Sequence, residues 1–336
     1  MGFRLMTAPP MWKAIYVSER GTSHVQDGTP CQDGCRVRVI GGSVLLTVCA
    51  DGAGSASHAR DGAQLACRKF IECVSGFLNP PPIAKAVAPL AEVEKSGVGF
   101  IQALWSLMLS ASSRVTRRMA SPRFPGEPEQ ENATALAGDD GAIPNPADPL
   151  GSIDRDTLVE WCVQVRESLA ARASELGVPI RELACTLLGA VVSDSTAVFV
   201  QVGDGAMVVG DGECCDVVFW PQSGEYANTT NFLTDAAFKE SLQFVVRQGR
   251  ITEFAGFTDG LERLILRFDD RTVHRPALGP MFDQLRAAAD EKALFAPLRG
   301  FLQSEPVNAR TNDDKTLILA VRNERSGNGQ QAPLPG

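Results

Sequence analysis

Three strand-like runs of this chain each begin or end on an aspartate. Residues 43–50, dense in Val, Leu and Thr, lead straight into Asp51-Gly52, and residues 253–257 lead into Thr258-Asp259-Gly260. The run 315–321 is entered through Asn312-Asp313-Asp314, and a fourth carboxylate, Asp33, precedes a run at 36–40. Side chains at strand ends are held rigidly, and neighbouring strands can bring their ends to one edge of a sheet. Oxygen ligands of this kind suit hard cations such as Mg²⁺ and Mn²⁺, which keep several of their waters. Gly52 beside Asp51 lets the backbone approach closely, so a main-chain carbonyl can join the ligands. Each pair taken alone reads equally well as a turn, because Asp-Gly is a common turn dipeptide. Spacing leaves both readings open.

The remaining pattern describes what surrounds these ends. Residues 12–18 and 36–40 are strand-like, and Gly41-Gly42 signals a hairpin into 43–50. Ala63, Ala66, Cys67, Phe70, Ile71, Val74 and Phe77 recur at helical spacing, so the Gly-rich segment 51–56 joins a buried strand to an amphipathic helix. Residues 83–119 read as helical. Their strongest apolar run, 98–111, is shorter than the ~20 residues needed to cross a bilayer and reads as a buried helix. Six prolines and six acidic residues against one arginine mark 121–152 as a disordered or loosely packed insertion. Leu158, Trp161, Cys162, Val165 and Leu169 predict another helix, with Gly177 and Pro179 as its stop. Strands are expected at 183–192, 196–202, 206–209, 214–219, 242–247, 253–257 and 315–321. A short helix closes the irregular stretch 221–241, and a helical stretch covers 279–303. The pattern is α+β, with antiparallel sheets carrying helices on their outer faces. One domain is expected over 12–323 with 83–152 inserted, preceded by a short extension at 1–11 and followed by a disordered tail at 324–336.

Composition narrows the partners. The 336 residues, 44% hydrophobic and 21% charged, suffice for a substantial core. A net charge of -8, from 40 acidic and 32 basic side chains, argues against a nucleic-acid partner, which calls for clustered Lys and Arg. It does not argue against a phosphorylated one, since bound divalent cations reverse the local sign. Nine scattered cysteines and three histidines give no paired zinc motif. Cys31 and Cys35 form at most a half-site, and the cysteines read as small buried hydrophobes in a reducing compartment. The first ten residues lack the apolar core of a secretory signal, so a cytoplasmic protein with no membrane partner is expected.

The motifs also occur in a recognisable order. Ser23-His24, Pro30-Cys31-Gln32-Asp33, Ala50-Asp51-Gly52-Ala53-Gly54-Ser55 and Cys185-Thr186-Leu187-Leu188 are followed by Val202-Gly203-Asp204-Gly205-Ala206, Phe257-Thr258-Asp259-Gly260-Leu261-Glu262 and Asp313-Asp314-Lys315-Thr316. Together they resemble the PPM/PP2C family of metal-dependent protein serine/threonine phosphatases, in its bacterial-like branch. Gly224-Glu225-Tyr226-Ala227-Asn228 resembles the region before the flap in bacterial members. The resemblance covers most of the chain apart from 83–152. It implies a four-layer α-β-β-α sandwich, two antiparallel sheets flanked by helices, with two or three Mn²⁺ or Mg²⁺ ions in a cleft at one end. By the same resemblance Asp51 bridges two metals and the Gly52 carbonyl binds one of them. Asp259 and Asp313 hold the other, and Asp33 contributes directly or through water. Asp51 and Asp259 thereby hold the catalytic water. Asp204 matches a position that binds a looser third metal in bacterial relatives, although a Gly-Asp-Gly turn explains it equally well. The implied reaction is hydrolysis of phosphoserine and phosphothreonine in proteins, by a monomer opposing a Ser/Thr kinase. No phosphoenzyme is needed, so no cysteine need be a nucleophile.

Departures from the family pattern fall around the metals. Gln32-Asp33 stands where eukaryotic members have Glu-Asp. Asp51-Gly52-Ala53 replaces Asp-Gly-His, so a general acid is absent there, and Gly28 stands where many members carry an arginine. His24 and Arg20 are the candidates for holding phosphate instead, with an ordinary surface role open for each; His58 and His274 have weaker claims. The main alternative is a catalytically weak or inactive relative that binds phosphoproteins as a regulator. A calcium-binding module is a further one, but the chain lacks a contiguous Asp-x-Asp-x-Asp-Gly loop.

Overall fold

The central strands are buried along their whole length, so both faces of each sheet must be covered. In the computed structural model, which describes residues 12–79, 148–221 and 230–323, ten strands form two antiparallel five-stranded sheets, β10 (Leu266–Arg267) pairs with β11 (Thr272–Val273), and α4 (Phe238–Ser241) is a single-turn helix. One sheet has the order β1 (Trp12–Glu19), β12 (Lys315–Arg322), β9 (Glu253–Phe257), β6 (Ala206–Gly210), β7 (Cys215–Val217). The other runs β2 (Gly34–Ile40), β3 (Val44–Ala50), β4 (Leu187–Val192), β5 (Thr196–Val202), β8 (Gln243–Gln248). Every residue of β3 is buried, yet Leu46, Val48 and Ala50 enter one core while Leu45 and Cys49 enter another. Likewise β12 sends Leu317, Leu319 and Val321 one way and Ile318 and Ala320 the other. Successive side chains of a strand point to opposite faces. The core common to both sheets, holding Leu45, Leu188, Phe199, Met207, Phe254 and Ile318, therefore lies between them.

Helices close the outer faces. Phe70 and Val74 of α2 (Ala59–Leu78) and Leu158, Val165 and Leu169 of α3 (Arg155–Leu176) join Leu46 and Val48. On the opposite side Leu278 and Phe282 of α6 (Arg275–Ala287) and Leu298 and Leu302 of α7 (Phe295–Leu302) join Leu317 and Leu319. This is the expected α-β-β-α sandwich. Gly41 and Gly42, at φ of +57° and +75°, make the turn between β2 and β3. Such φ values suit glycine, which has no Cβ to clash.

Several boundaries differ from expectation. The run 183–192 is a strand only from Leu187. Before it Ile180–Leu183 form a 3-10 turn, and Cys185 makes a lone bridge to Gly52. The helical stretch 279–303 is interrupted after Ala287, because the Asp290 side chain caps a separate turn, Glu291–Leu294, by accepting from the Lys292 N–H. The strand expected at 214–219 shortens to Cys215–Val217. Helix α1 (Thr22–Asp27) buries no residue and so leaves no apolar period to read. The segment expected to be loose as far as 152 is packed from Asp148 onward. Leu150 is fully buried there, and the Asp148 carboxylate accepts from the Ser193 and Ser195 hydroxyls. Cys49, Cys67, Cys162 and Cys185 are buried as expected, whereas Cys214 is exposed. The expectations for 1–11, 83–119, 121–147, 224–228 and 324–336 lie outside the described residues. No helix among the described residues is long and apolar enough to cross a membrane.

Candidate metal centre

The acidic residues reach one place because backbone contacts hold the loops that carry them. Asp51 follows β3, and Thr186 grips its main chain from both sides: the Asp51 N–H donates to Thr186 Oγ1 at 2.8 Å, and the Thr186 N–H donates to the Asp51 carbonyl at 2.8 Å. Asp204 sits in the turn between β5 and β6. There the Gln201 side-chain amide donates to the Gly203 and Gly205 carbonyls at 3.1 and 2.7 Å. Asp259 opens a 3-10 turn, Asp259–Leu261, directly after β9. A Cβ on the next residue, Gly260, would stand 2.0 Å from the Asp314 carbonyl oxygen, so the loops of Asp259 and Asp313 touch where only glycine fits. We expect Gly260→Ala to cost about 1–3 kcal/mol, the range for forced overpacking, as a lower urea midpoint at unchanged slope.

Asp51, Asp204 and Asp259 each offer a carboxylate oxygen within 4.8 Å of the others. Thr230 Oγ1 donates to Asp204 Oδ2 at 2.6 Å, while the buried Asp204 Oδ1 has no donor among the described residues. Asp33 lies behind, only 3% exposed. Its Oδ2 accepts from Thr258 Oγ1 at 2.9 Å and Thr316 Oγ1 at 2.7 Å, no donor among the described residues reaches its Oδ1, and its carboxyl meets that of Asp51. Asp313 stands outside the tightest group, but its charge acts on both Asp51 and Asp259. The turn residue Asp204 is thus one of the three convergent carboxylates.

Burial and mutual repulsion push these carboxyls up together. Burial first, then the charges of Asp33 and Asp259, hold Asp51 well above the usual carboxylate range. Burial and the charges of Asp204 and Asp313 push Asp259 up to about 8. Burial raises Asp33 to about 7 against the hydrogen bonds from Thr316. Glu262, one turn beyond Asp259, is raised to about 8 by burial and by Asp259 and Asp204, and its buried Oε1 has no donor. Among the described residues no Lys or Arg forms an ion pair with Asp33, Asp51, Asp204 or Asp259. Several like charges in one buried site are costly without a counter-charge. Oxygen-only donors with orphaned lone pairs fit a hard divalent cation.

Around this group stand residues whose roles no sequence motif marks. Asp314 accepts from the Gly21 and Gln32 backbone N–H groups, both at 2.6 Å, and lies 3.0 Å from His24 Nδ1. It ties three loops together behind the carboxylates. Gln32 is bound there through its backbone, and its own buried Oε1 has no donor. Arg20, exposed, donates to the Thr29 carbonyl at 3.3 Å. Neither His24 nor Arg20 is among the three convergent residues. His58 stands at the start of α2 and His274 at the start of α6. Cys31 and Cys35 join no metal-ligating group among the described residues. The available signal for the supporting shell was a threonine beside each strand end, Thr258 and Thr316, both donating to Asp33. Thr316→Val removes one of these donors, and we expect it to weaken Mn²⁺ binding by roughly 10–100-fold, the usual cost of losing an outer-shell partner, as measured by calorimetry.

A sequence model of the protein phosphatase 2C family matches residues 20–303. Serine/threonine-protein phosphatase 3 of Escherichia coli (strain K12) is 30% identical over 316 residues, covering 92% of this chain and 98% of that protein. Among solved structures, a bacterial serine phosphatase matches with a TM-score of 0.51 at 13% identity, over 93% of this chain and 99% of that one. The catalytic domain of the serine/threonine protein phosphatase PstP, solved in complex with two manganese ions, matches with a TM-score of 0.47 at 14% identity, over 93% and 99%. The first of these structural likenesses supports the sandwich fold. The match of the family model over most of the sequence, together with the identity to the E. coli enzyme along nearly its whole length, places this chain in the protein phosphatase 2C family of serine/threonine protein phosphatases.

Proposed function

We propose that the chain hydrolyses phosphoserine and phosphothreonine in proteins at a centre of two divalent cations, Mn²⁺ or Mg²⁺. The carrying observation is the convergence of Asp51, Asp204 and Asp259 within 4.8 Å. Asp51, the Gly52 carbonyl, Asp259 and Asp313 would hold these two ions, Asp204 would hold a further one, and Asp33 would act directly or through water. When bound, the ions supply a water of lowered pKa and offset charge on the phosphoryl oxygens. The chain's own contribution is orientation: Thr186 fixes the Asp51 backbone, and Thr258 and Thr316 hold Asp33 against the Asp51 carboxyl. Arg20, next to the Gly21 bound by Asp314, and His24 of α1, 3.0 Å from Asp314, are the candidates for gripping the substrate phosphate. A single domain over 12–323, acting as a cytoplasmic monomer against a Ser/Thr kinase, completes the reading.

Purified protein with Mn²⁺ or Mg²⁺ should release phosphate from phosphoserine and phosphothreonine peptides. Ca²⁺ should not substitute, and a chelator should abolish turnover. Turnover that is absent with either metal, in a folded sample, would favour the silent phosphoprotein-binding alternative.

A further inference from the structure

Outside the carboxylate site, a cleft of about 570 Å³ is lined by Arg263, Arg267, His274 and Arg310 over the apolar side chains of Met281 and Phe301. Among the described residues no Asp or Glu lines it, in a chain whose net charge is -8. Two carboxylates lie nearby. Asp270 stands 3.8 Å from Arg267 with both side chains at least half exposed, where such a pair is weak. Glu262 neighbours Arg263 in sequence and feels its charge, but burial and the charges of Asp259 and Asp204 act on its carboxyl more strongly. Arg310 donates one N–H to the Pro306 carbonyl at 2.9 Å, which fixes the guanidinium and leaves it four further donors. Among the described residues Arg263 forms no ion pair. The apolar floor continues: Pro280, Met281 and Phe301 are shared with an adjoining groove of about 210 Å³ whose other walls include Leu294 and Leu298. Phe301 is 38% exposed.

The position of the cleft matters as much as its charge. Arg263 lies in the single-turn helix α5 (Glu262–Ile265), which follows the Asp259 turn, roughly one helical turn of ~5.4 Å along the chain. Arg310 follows α8 (Glu305–Asn308) and comes three residues before Asp313. The two loops touch at Gly260 and Asp314. Both arginines are therefore mounted on the loops that present the candidate metal ligands. We infer that this cleft docks an acidic segment bearing one bulky apolar side chain, contributed by the phosphorylated polypeptide whose phosphate is cleaved. The inference rests on the phosphatase reading above and gives it a substrate class. A nucleic acid would also offer negative charge, but the chain's overall charge opposes a long polyanion and the apolar groove gives it nothing to fill.

Two measurements on the full chain decide this. In a chelator, where no turnover occurs, a fluorescent unphosphorylated peptide with acidic residues around one Phe should bind at least tenfold more tightly than its Gln-substituted counterpart. The preference should fall about tenfold in Arg263→Glu/Arg310→Glu, fall less in Arg263→Gln/Arg310→Gln, and weaken with salt. Phe301→Ala should weaken binding of both peptides. With Mn²⁺, the ratio of kcat/KM for acid-flanked over neutral-flanked phosphopeptides should fall about tenfold in the charge-reversal variant, through KM. An unchanged preference in both arms, or a single-stranded oligonucleotide that outcompetes the acidic peptide, overturns the docking inference. Wild-type protein that binds the peptide but cleaves neither phosphopeptide would instead defeat the phosphatase reading and leave the docking result standing.

Discussion

Asp51→Asn is expected to lower kcat/KM for a phosphothreonine peptide by roughly 10²–10³-fold, the scale seen when one fixed group that stabilises charge in the transition state is removed. The substitution keeps the shape of the side chain and the Thr186 hydrogen bonds, which run through the backbone. It removes a carboxyl that burial and the charges of Asp33 and Asp259 hold above the usual range, and with it one acceptor for the cations. Two signatures follow. The metal-free variant should melt at a higher temperature than the metal-free wild type at pH 8, because repulsion inside the cluster is relieved. The rise in melting temperature that Mn²⁺ gives the wild type should be lost. A functional site that is strained without its ligand is expected to gain stability when disarmed. A variant that is simply misfolded would lose both activity and stability, so the two measurements separate the cases.

The second large effect is on pH dependence. Asp259 and Glu262 are raised to about 8 and Asp33 to about 7 in the folded chain, from ordinary values near 4. At a pH below the unfolded values, all are protonated in both states and the cluster costs nothing. As pH rises from about 4 toward 8, the unfolded chain ionises while the folded one still holds its protons. The folded state then binds more protons than the unfolded one, and stability falls across that window. Metal-free protein should therefore lose thermal stability progressively from pH 5 to pH 8. Saturating Mn²⁺ should remove most of that loss, because the cation offsets the charges that cause it. Binding must also expel the protons, so apparent Mn²⁺ affinity should tighten as pH rises through 7 and 8. Melting curves with and without Mn²⁺ at pH 5, 6, 7 and 8 read both effects.

The sandwich was legible because its strands are either alternating or wholly apolar, and β3 and β12 are apolar for a reason: each lies between two cores. Helices α2 and α3 were legible because one face carries the apolar residues. What could not be read follows from the same logic. Helix α1 buries nothing, so no period marks it. The strand expected from 183 begins later because the residues before it serve the site: Cys185 bridges to Gly52 and Thr186 clamps Asp51. Asp204 had two equally good explanations in the sequence, since a turn and a ligand look alike there. Only the pairing of β6 with β9 carries it to Asp259. Asp314 was legible as part of a motif but not in its role, because the groups it binds, Gly21 and Gln32, are 293 and 282 residues away along the chain.

These carboxylates are expected to form a cation centre. Calorimetric titration of Mn²⁺ into wild type and Asp51→Asn at pH 8 tests it most directly. Wild type should take up about two Mn²⁺ per chain, as for a two-metal hydrolytic site, with heat that varies with the ionisation enthalpy of the buffer as protons leave, and the variant should show strongly weakened uptake. Equal uptake by the two proteins, or no uptake by folded wild type, would contradict it.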